Sequence, residues 1–366
     1  MQIAQVAPLF ESVPPKFYGG TERIVSYLTE ELVKMGHEVT LYASGDSVTR
    51  ARLIPACHRA LRLDKSSVDP IADHVFLAEQ VFQAAGQFDI IHSHIDYLPY
   101  PLLRRMKRPH LTTLHGRLDI PNLQNIYKEF SEIPLVSISD FQRTPIERAN
   151  WRATIYHGLP SDLYDYREGE GGYLAFLGRI SPEKRVDAAI EIAKRTGIKL
   201  KIAAKVDNVD RQYFEQAVKP LLKNDGVEFI GEIGDAEKNE FLGNALALLF
   251  PVDWPEPFGL VMIEAMACGT PIIARRQGSV PEVVEEGVNG YIIKNIRGAV
   301  QAVRHIGRLS RKRCRRAFDE RFTSRIMAEN YLKVYEGLIA ACAAGEGRVH
   351  EDEGYYPGQG RVLHKR

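Results

Sequence analysis

The chain alternates short apolar strands with amphipathic helices, breaks off, and then repeats the same pattern. Strand candidates in the first run are Gln2–Ala7, Glu38–Ala43, Asp89–His92, His110–Leu114, Leu135–Ser139 and Ala153–Tyr156. Each is short, apolar and rich in β-branched residues, as strands covered on both faces are. Helical stretches lie between them. Gly20–Met35 carries Ile24, Val25, Leu28, Leu32 and Met35 on one stripe, and Gly36 stops it. Asp162–Gly172 (DLYDYREGEGG) is polar, glycine-rich and aperiodic, and reads as a linker. The alternation resumes at Tyr173–Leu177, Lys199–Ala204, Val227–Ile230, Ala245–Phe250, Pro271–Ala274 and Gly290–Ile293. Alternating strands and helices predict parallel sheets covered on both faces and joined by right-handed crossovers. The expected fold is therefore α/β, with two Rossmann-like doubly wound domains, 1–165 and 172–325, facing each other across a cleft. Ligands of such sheets sit at the carboxyl ends of the strands. Met327, Tyr331, Val334, Tyr335, Leu338 and Cys342 recur every three or four residues and predict a closing helix over 326–343. Residues 345–366 are glycine-rich and charged without an apolar pattern, and are expected to form a mobile tail.

At about 150 residues per domain, 366 residues give the same count of two. Lys plus Arg total 48 and Asp plus Glu total 47, a net charge of +1. That balance argues against nucleic acid as the main partner. The start, MQIAQVAPLFE, has no cationic stretch before its apolar run and does not read as a signal peptide. The longest clean apolar run, Ala245–Phe250, is too short to span a bilayer. Cys57, Cys268, Cys314 and Cys342 are scattered with no CxxC pair, so neither a disulfide framework nor a zinc site is expected. The expected location is the cytoplasm.

Four segments carry chemistry. In PVDWPEPFGLVMIEAMACGTP, residues 251–271, a buried strand ends in a proline-stiffened loop and a helix follows from about Phe258 or Gly259. Pro257 keeps Glu256 out of helical geometry. The free amides of Phe258, Gly259 and Leu260, with the helix dipole, would suit a phosphate. Glu264, further along, would suit ribose hydroxyls. A capped surface helix with two solvated glutamates fits the same spacing. In FLGRISPEKR, residues 176–185, Ser181 is an N-cap and Pro182 opens a helix, which puts Lys184 and Arg185 in its first turn. Arg179 and Lys184 would neutralise a diphosphate there, although a surface ion pair with Glu183 is the simpler reading. Tyr18-Gly19-Gly20-Thr21-Glu22 follows the first strand, and paired glycines allow close backbone approach. Neither GxGxxG nor GxxxxGK[ST] occurs. His115, in LHG, ends a first-half strand on the expected cleft.

Together GGTE, TTLHG, LGRISPEKR and EPFGLVMIE resemble the retaining GT-B glycosyltransferases of family 4 (group 1) over about residues 1–343. Glu256 and Glu264 meet that family's E-x7-E spacing, and AMACGTPIIA and GSVPEVVEEGVNGYI match its second half. The resemblance implies transfer of a sugar from a nucleoside diphosphate sugar with retention, UDP being favoured and GDP and ADP open. It implies that Glu256 binds sugar hydroxyls, that Phe258, Gly259 and Leu260 offer amides, and that Glu264 binds ribose. Arg179 and Lys184 would hold the diphosphate, with Gly19 and Gly20 approaching it from the other domain. His115 would lie near the sugar, and Gly231 and Glu232 beside the base. It also implies that no metal or other cofactor is needed and that the last helix packs back across the first domain. Two departures stand out: His157-Gly158 where the family has Asn-Gly, and Arg275-Arg276 after the penultimate strand.

The acceptor is unidentified, and its contacts are expected in three loops, 46–65, 95–101 and 119–132. Ten basic residues between Arg297 and Arg325, and the cluster Arg104, Arg105, Lys107 and Arg108 beside Leu102, Leu103 and Met106, raise peripheral membrane contact. A solvated helix face is the favoured reading of both. The competing functions are a sugar-nucleotide epimerase or a phosphorylase of the same architecture, and a non-catalytic two-lobed sugar-binding protein.

Overall fold

The computed structural model describes residues 1–16, 19–64 and 67–345. Tyr18 and the tail from 346 onward lie outside the described residues. The first half forms a seven-stranded sheet from β1 (Gln2–Val6), β2 (Glu38–Ser44), β3 (Arg52–Cys57), β4 (Ile90–Ser93), β5 (His110–Thr113), β6 (Leu135–Ser137) and β7 (Trp151–Thr154). Their order is β3-β2-β1-β4-β5-β6-β7, and every pairing is parallel. The second half forms a six-stranded sheet from β8 (Tyr173–Arg179), β9 (Leu200–Lys205), β10 (Val227–Gly231), β11 (Ala245–Phe250), β12 (Ile272–Arg275) and β13 (Gly290–Ile293). Its order is β10-β9-β8-β11-β12-β13, again all parallel. Both sheets reverse their winding once, between β1 and β4 and between β8 and β11. Crevices open at such points, and in open α/β sheets they are where ligands bind.

Two doubly wound sheets are thus present, with one strand more than expected. β3, RLIPAC, falls inside the stretch 46–65 that the sequence suggested was an acceptor loop. It is the outer strand of its sheet and only half-buried, and an outer strand tolerates Pro55 because one side needs no ladder bond. The stretch 119–132 likewise contains a helix, Pro121–Glu129.

Strands β1, β4 and β11 are almost wholly buried, and β8 is buried over its first four residues, as strands covered on both faces are. One apolar cluster runs through both halves. It joins Ile3, Ile24 and Leu28 of the first half to Leu248, Met262 and Phe318 of the second. The last helix, Ser324–Ala343, lies on the first half. Its Tyr335 hydroxyl meets Gln5 Nε2 at 3.1 Å and His92 Nδ1 at 2.6 Å, and its Tyr331 hydroxyl meets Thr113 Oγ1 at 2.9 Å. The two chain crossings between the halves run side by side: Leu159 N donates to Phe322 O at 2.9 Å and Ser324 N to Leu159 O at 2.7 Å. A Cβ on Gly158 would sit 2.2 Å from Thr323 O, which is why glycine follows His157.

The basic stretch 297–325 is not simply a solvated face. Arg311 turns inward and donates to Arg167 O, Ala245 O, Gly243 O and Thr270 Oγ1 at 2.6–2.9 Å. Arg315 donates to Tyr164 O, Ala267 O and Ser161 O at 2.7–2.9 Å. Both tie the linker to the second half. Arg104 bonds Glu129 and Glu132 and lies over Phe130. Among the described residues no helix is long and apolar enough to cross a membrane.

Candidate active site

The cleft between the halves is a cavity of about 710 Å³. Its walls include Gly19, Gly20, His115, Arg179, Lys184, Glu232, Glu256, Phe258, Gly259, Leu260 and Glu264. Gly231 is not among the lining residues; it ends β10 at φ +81°, one position short of the wall. These groups come from the carboxyl ends of four strands, β1, β5, β8 and β11, and from the loop after β10.

Lys184 arrives by a route the sequence does not predict. Pro182–Lys184 is a single 3₁₀ turn, and the helix proper starts only at Val186. Between them Arg185 is left-handed at φ 56° and ψ 47°, a conformation that costs roughly 1–2 kcal/mol in a non-glycine residue. Asp187, at 2.9–3.1 Å, and Asp253, at 3.2 Å, hold the Arg185 guanidinium there. The turn aims Lys184 at the loop after β11, and Asp253 N donates to Glu183 O at 2.8 Å to fasten the two. Lys184 Nζ donates to Glu256 Oε2, and Trp254 Nε1 donates to the same oxygen at 2.8 Å. The ammonium also lies 4.9 Å from the Trp254 ring centre. This half-enclosed cation among aromatic faces is attracted to them.

The helix Leu260–Ala267 starts two residues later than the earliest start expected, because Gly259 turns left-handed at φ 82° and ψ 72°. Among the described residues no side chain caps it, and Leu260 and Val261 line the cleft. Phe258 is a packing residue as well as a lining one: its ring is 2% exposed and stands edge-on to His157 at 4.9 Å. The loop is braced from behind. Ser279 N donates to Glu256 O at 3.0 Å, Ser279 Oγ to Phe258 O at 2.8 Å, and Arg275 pairs with Asp253 at 2.7 Å. A Cβ on Gly278, itself at φ +53°, would lie 2.2 Å from Glu256 O. Gly278→Ala must therefore push Glu256 aside. Turnover is expected to fall about a hundredfold, as misplacement by about an ångström does elsewhere. A normal rate from a folded variant would show that Glu256 placement is unimportant.

Arg179 and Glu264 are not idle. Arg179 meets Glu183 at 2.8 Å, the ion pair the sequence offered as the simpler reading, with Asp210 at 3.6 Å and Asp207 at 3.7 Å. Glu264, 4% exposed, accepts from Lys238 Nζ at 2.9 Å and from the Tyr164 hydroxyl at 3.4 Å. Lys238 also meets Asp235, which Arg23 of the first half grips across the cleft. Burial pushes the Asp235 carboxyl up, but Lys238 and Arg23 outweigh it and hold it below its usual range. Sequence reading singled out His157 without giving it a role, and missed Arg23, Lys238 and Trp254. Trp254 alone had a signal, two positions before Glu256. Lys238 is 26 residues from its partner and Arg23 is 212 from its own.

Opposite Lys184, His115 and His157 stack at 5.3 Å with rings 17° apart. His115 also contacts His94, which packs on His92. Burial pushes His115 down to about 3 and holds His92, His94 and His157 well below 6.5. All four are therefore neutral in the fold at neutral pH. Above pH 6.5 the unfolded chain leaves them neutral too, so they cost nothing. Below it the unfolded chain takes up protons that the fold refuses, and stability falls by roughly 1 kcal/mol per pH unit for each such histidine. Denaturant midpoints are expected to drop steeply between about pH 6.5 and 5. A flat profile there would mean that the histidines are charged in the fold.

Residues 167–323 match the family model described as glycosyl transferases group 1, and residues 18–156 match glycosyltransferase family 4. The chain is a family 4, group 1 glycosyltransferase. N-acetyl-alpha-D-glucosaminyl L-malate synthase of Bacillus anthracis is 25% identical over 365 residues, 88% of this chain and 94% of that one. Sucrose-phosphate synthase from Thermosynechococcus elongatus superposes with a TM-score of 0.76 at 20% identity, covering 93% of this chain and 100% of that one. The Anabaena HepE protein, solved with UDP and glucose, superposes at 0.70 and 18% identity, over 92% and 100%. The likeness of these structures establishes the fold as GT-B.

Proposed function

We propose that this glycosyltransferase moves a sugar from a nucleoside diphosphate sugar to a hydroxyl acceptor with retention at the anomeric carbon. In this reading residues 172–325 hold the donor and 1–165 the acceptor. One observation carries it: Lys184, Glu256 and the uncapped end of Leu260–Ala267 share one wall of a cleft whose other wall is His115, Gly19 and Gly20. As the bond from the anomeric carbon to the phosphate oxygen breaks, its electron pair passes to the diphosphate. Lys184, Arg179 and the amides of Leu260 and Val261 stabilise that charge, as donors preset for an oxyanion do. Glu256, released from Lys184 by the phosphate, holds sugar hydroxyls. The acceptor oxygen bonds to the carbon from the same face, and its proton goes to a donor phosphate oxygen. A retaining glycosidase would need a second carboxylate at about 5–5.5 Å across the bond, and Glu256 faces a lysine instead. No metal takes part in this scheme, so activity is expected to survive a chelator.

UDP is the favoured leaving nucleotide, a reading supported by the UDP and glucose bound to the Anabaena neighbour. A stability panel of UDP, GDP and ADP tests it. The true nucleotide at 100 times its dissociation constant adds about 2.7 kcal/mol. Release of that nucleotide from its sugar ester, dependent on acceptor extract, then establishes transfer. Epimer interconversion without acceptor would replace this reading with an epimerase, and binding without turnover would replace it with a lobed sugar-binding protein.

A further inference from the structure

Behind His115 lies a buried chain of hydrogen bonds that donor chemistry alone does not require. His115 Nε2 meets His94 Nδ1 at 2.9 Å, and His94 Nε2 meets Gln5 Oε1 at 2.8 Å. Gln5 Nε2 reaches the Tyr335 hydroxyl at 3.1 Å and His92 Nδ1 at 3.4 Å. The Tyr335 hydroxyl lies 2.6 Å from His92 Nδ1, and His92 Nε2 lies 2.7 Å from Thr113 Oγ1. Thr113 Oγ1 ends the chain on the Tyr331 hydroxyl at 2.9 Å. Gln5, His92 and Thr113 are fully buried, His94 is 2% exposed, and both tyrosines are fully buried.

Such a chain has one direction. A carbonyl oxygen only accepts, so Gln5 Oε1 requires a proton on His94 Nε2. Neutral His94 then has a bare Nδ1, which requires a proton on His115 Nε2. Neutral His115 is left with a bare Nδ1. That atom is buried and has no partner among the described residues, and neither has Nδ1 of the stacked His157. Turning the Gln5 amide over would reverse every donor and leave an orphaned N–H at His115, and orphaned buried N–H groups are the rarer kind.

We propose that Gln5 and His94 are positioning residues that lock His115 in its Nε2–H tautomer, so that the ring offers Nδ1 as an acceptor to a hydroxyl of the transferred sugar. Tyr335 orients the Gln5 amide from the last helix, which thereby reaches the reaction centre without touching it. The role of the sugar rests on the proposed function, while the tautomer does not. Burial keeps all three histidines neutral, so the chain transmits orientation and carries no charge.

Nitrogen-15 spectra of the full chain read the tautomer directly and need no substrate, so they test the chain even where every nucleotide fails to bind. His115 Nδ1 is expected to show the shift of an unprotonated ring nitrogen; a protonated Nδ1 overturns the proposal. His94→Leu is expected to lower kcat about tenfold or more, the usual effect of removing such a supporting partner. Affinity for the nucleotide chosen by the stability panel should not change. His94→Asn, whose Oδ1 can still accept from His115 Nε2, is expected to restore most of the rate. Gln5→Leu should mimic His94→Leu. Full turnover in a folded His94→Leu, or no difference between the leucine and asparagine variants, would overturn the assignment.

Discussion

Lys184→Ala is expected to lower kcat by about a hundredfold to a thousandfold, the loss of about 2.7–4 kcal/mol that follows removal of one donor to a developing oxyanion. The magnitude comes from the surroundings of the ammonium. Its side chain is 17% exposed, its counter-ion Glu256 9%, and Trp254 and Phe250 present ring faces to it. A charge so little exposed is less screened than one in bulk water. The fold should survive, because Lys184 ends a single turn that backbone bonds hold without it. Glu256 would lose its cation but keep the Trp254 N–H. Steady-state rates at saturating donor, with circular dichroism on the same sample, decide the matter. A turnover within about threefold of wild type would move the leaving-group role to Arg179 and the helix end. Arg179→Ala is expected to cost less, since Glu183, Asp207 and Asp210 already share its charge.

Arg311→Met is expected to destabilise the second half by at least about 3 kcal/mol, since several acceptors lose their donor at once and each unmade buried bond costs roughly 1–3 kcal/mol. At about 2–4 °C per kcal/mol for a domain of this size, the melting temperature should fall by roughly 6–12 °C. Methionine retains much of the stem's volume, so the loss reports the guanidinium. It binds Arg167 O of the linker, Gly243 O before β11, Ala245 O in β11 and Thr270 Oγ1 before β12. Burial holds this guanidinium below its ordinary range, yet nothing at neutral pH removes its charge. The neighbouring Arg316 is exposed and, among the described residues, paired with Glu320, so Arg316→Met should change stability little. Equal effects at the two positions would contradict the inward placement of Arg311.

Much of the fold was legible because buried strands announce themselves. Ala245–Phe250 is apolar throughout and is a strand between the same two residues. Gly290–Ile293 also runs between the residues expected, and Glu38–Ser44 extends one residue beyond the expected Glu38–Ala43. β3 escaped because an outer strand needs neither an apolar run nor freedom from proline. The site was partly legible for a related reason. Glu256 is flanked by prolines, and Lys184 follows a serine-proline pair, both local signals. The local rule still misplaced two helix starts. Arg185 and Gly259 are left-handed; Asp253 holds the Arg185 guanidinium, and a Cβ added to Gly259 would press on the Phe250 ring.

By itself the amino-acid order determined that this protein would be two wound sheets with a cleft, because burial on two faces imposes a periodicity that any reader of the chain can count. It also marked the loop and helix end to which the proposed function assigns the diphosphate, since proline, glycine and backbone amides act within a few residues. Only the tertiary structure decided how the charges are shared: that Lys184 rests on Glu256, that Lys238 rests on Glu264, and that Arg311 and Arg315 bind backbone rather than solvent. It alone brought Gln5, His94 and Tyr335 behind His115. Pairings between residues dozens or hundreds of positions apart leave no periodic trace, because they follow from how crossovers stack elements in space.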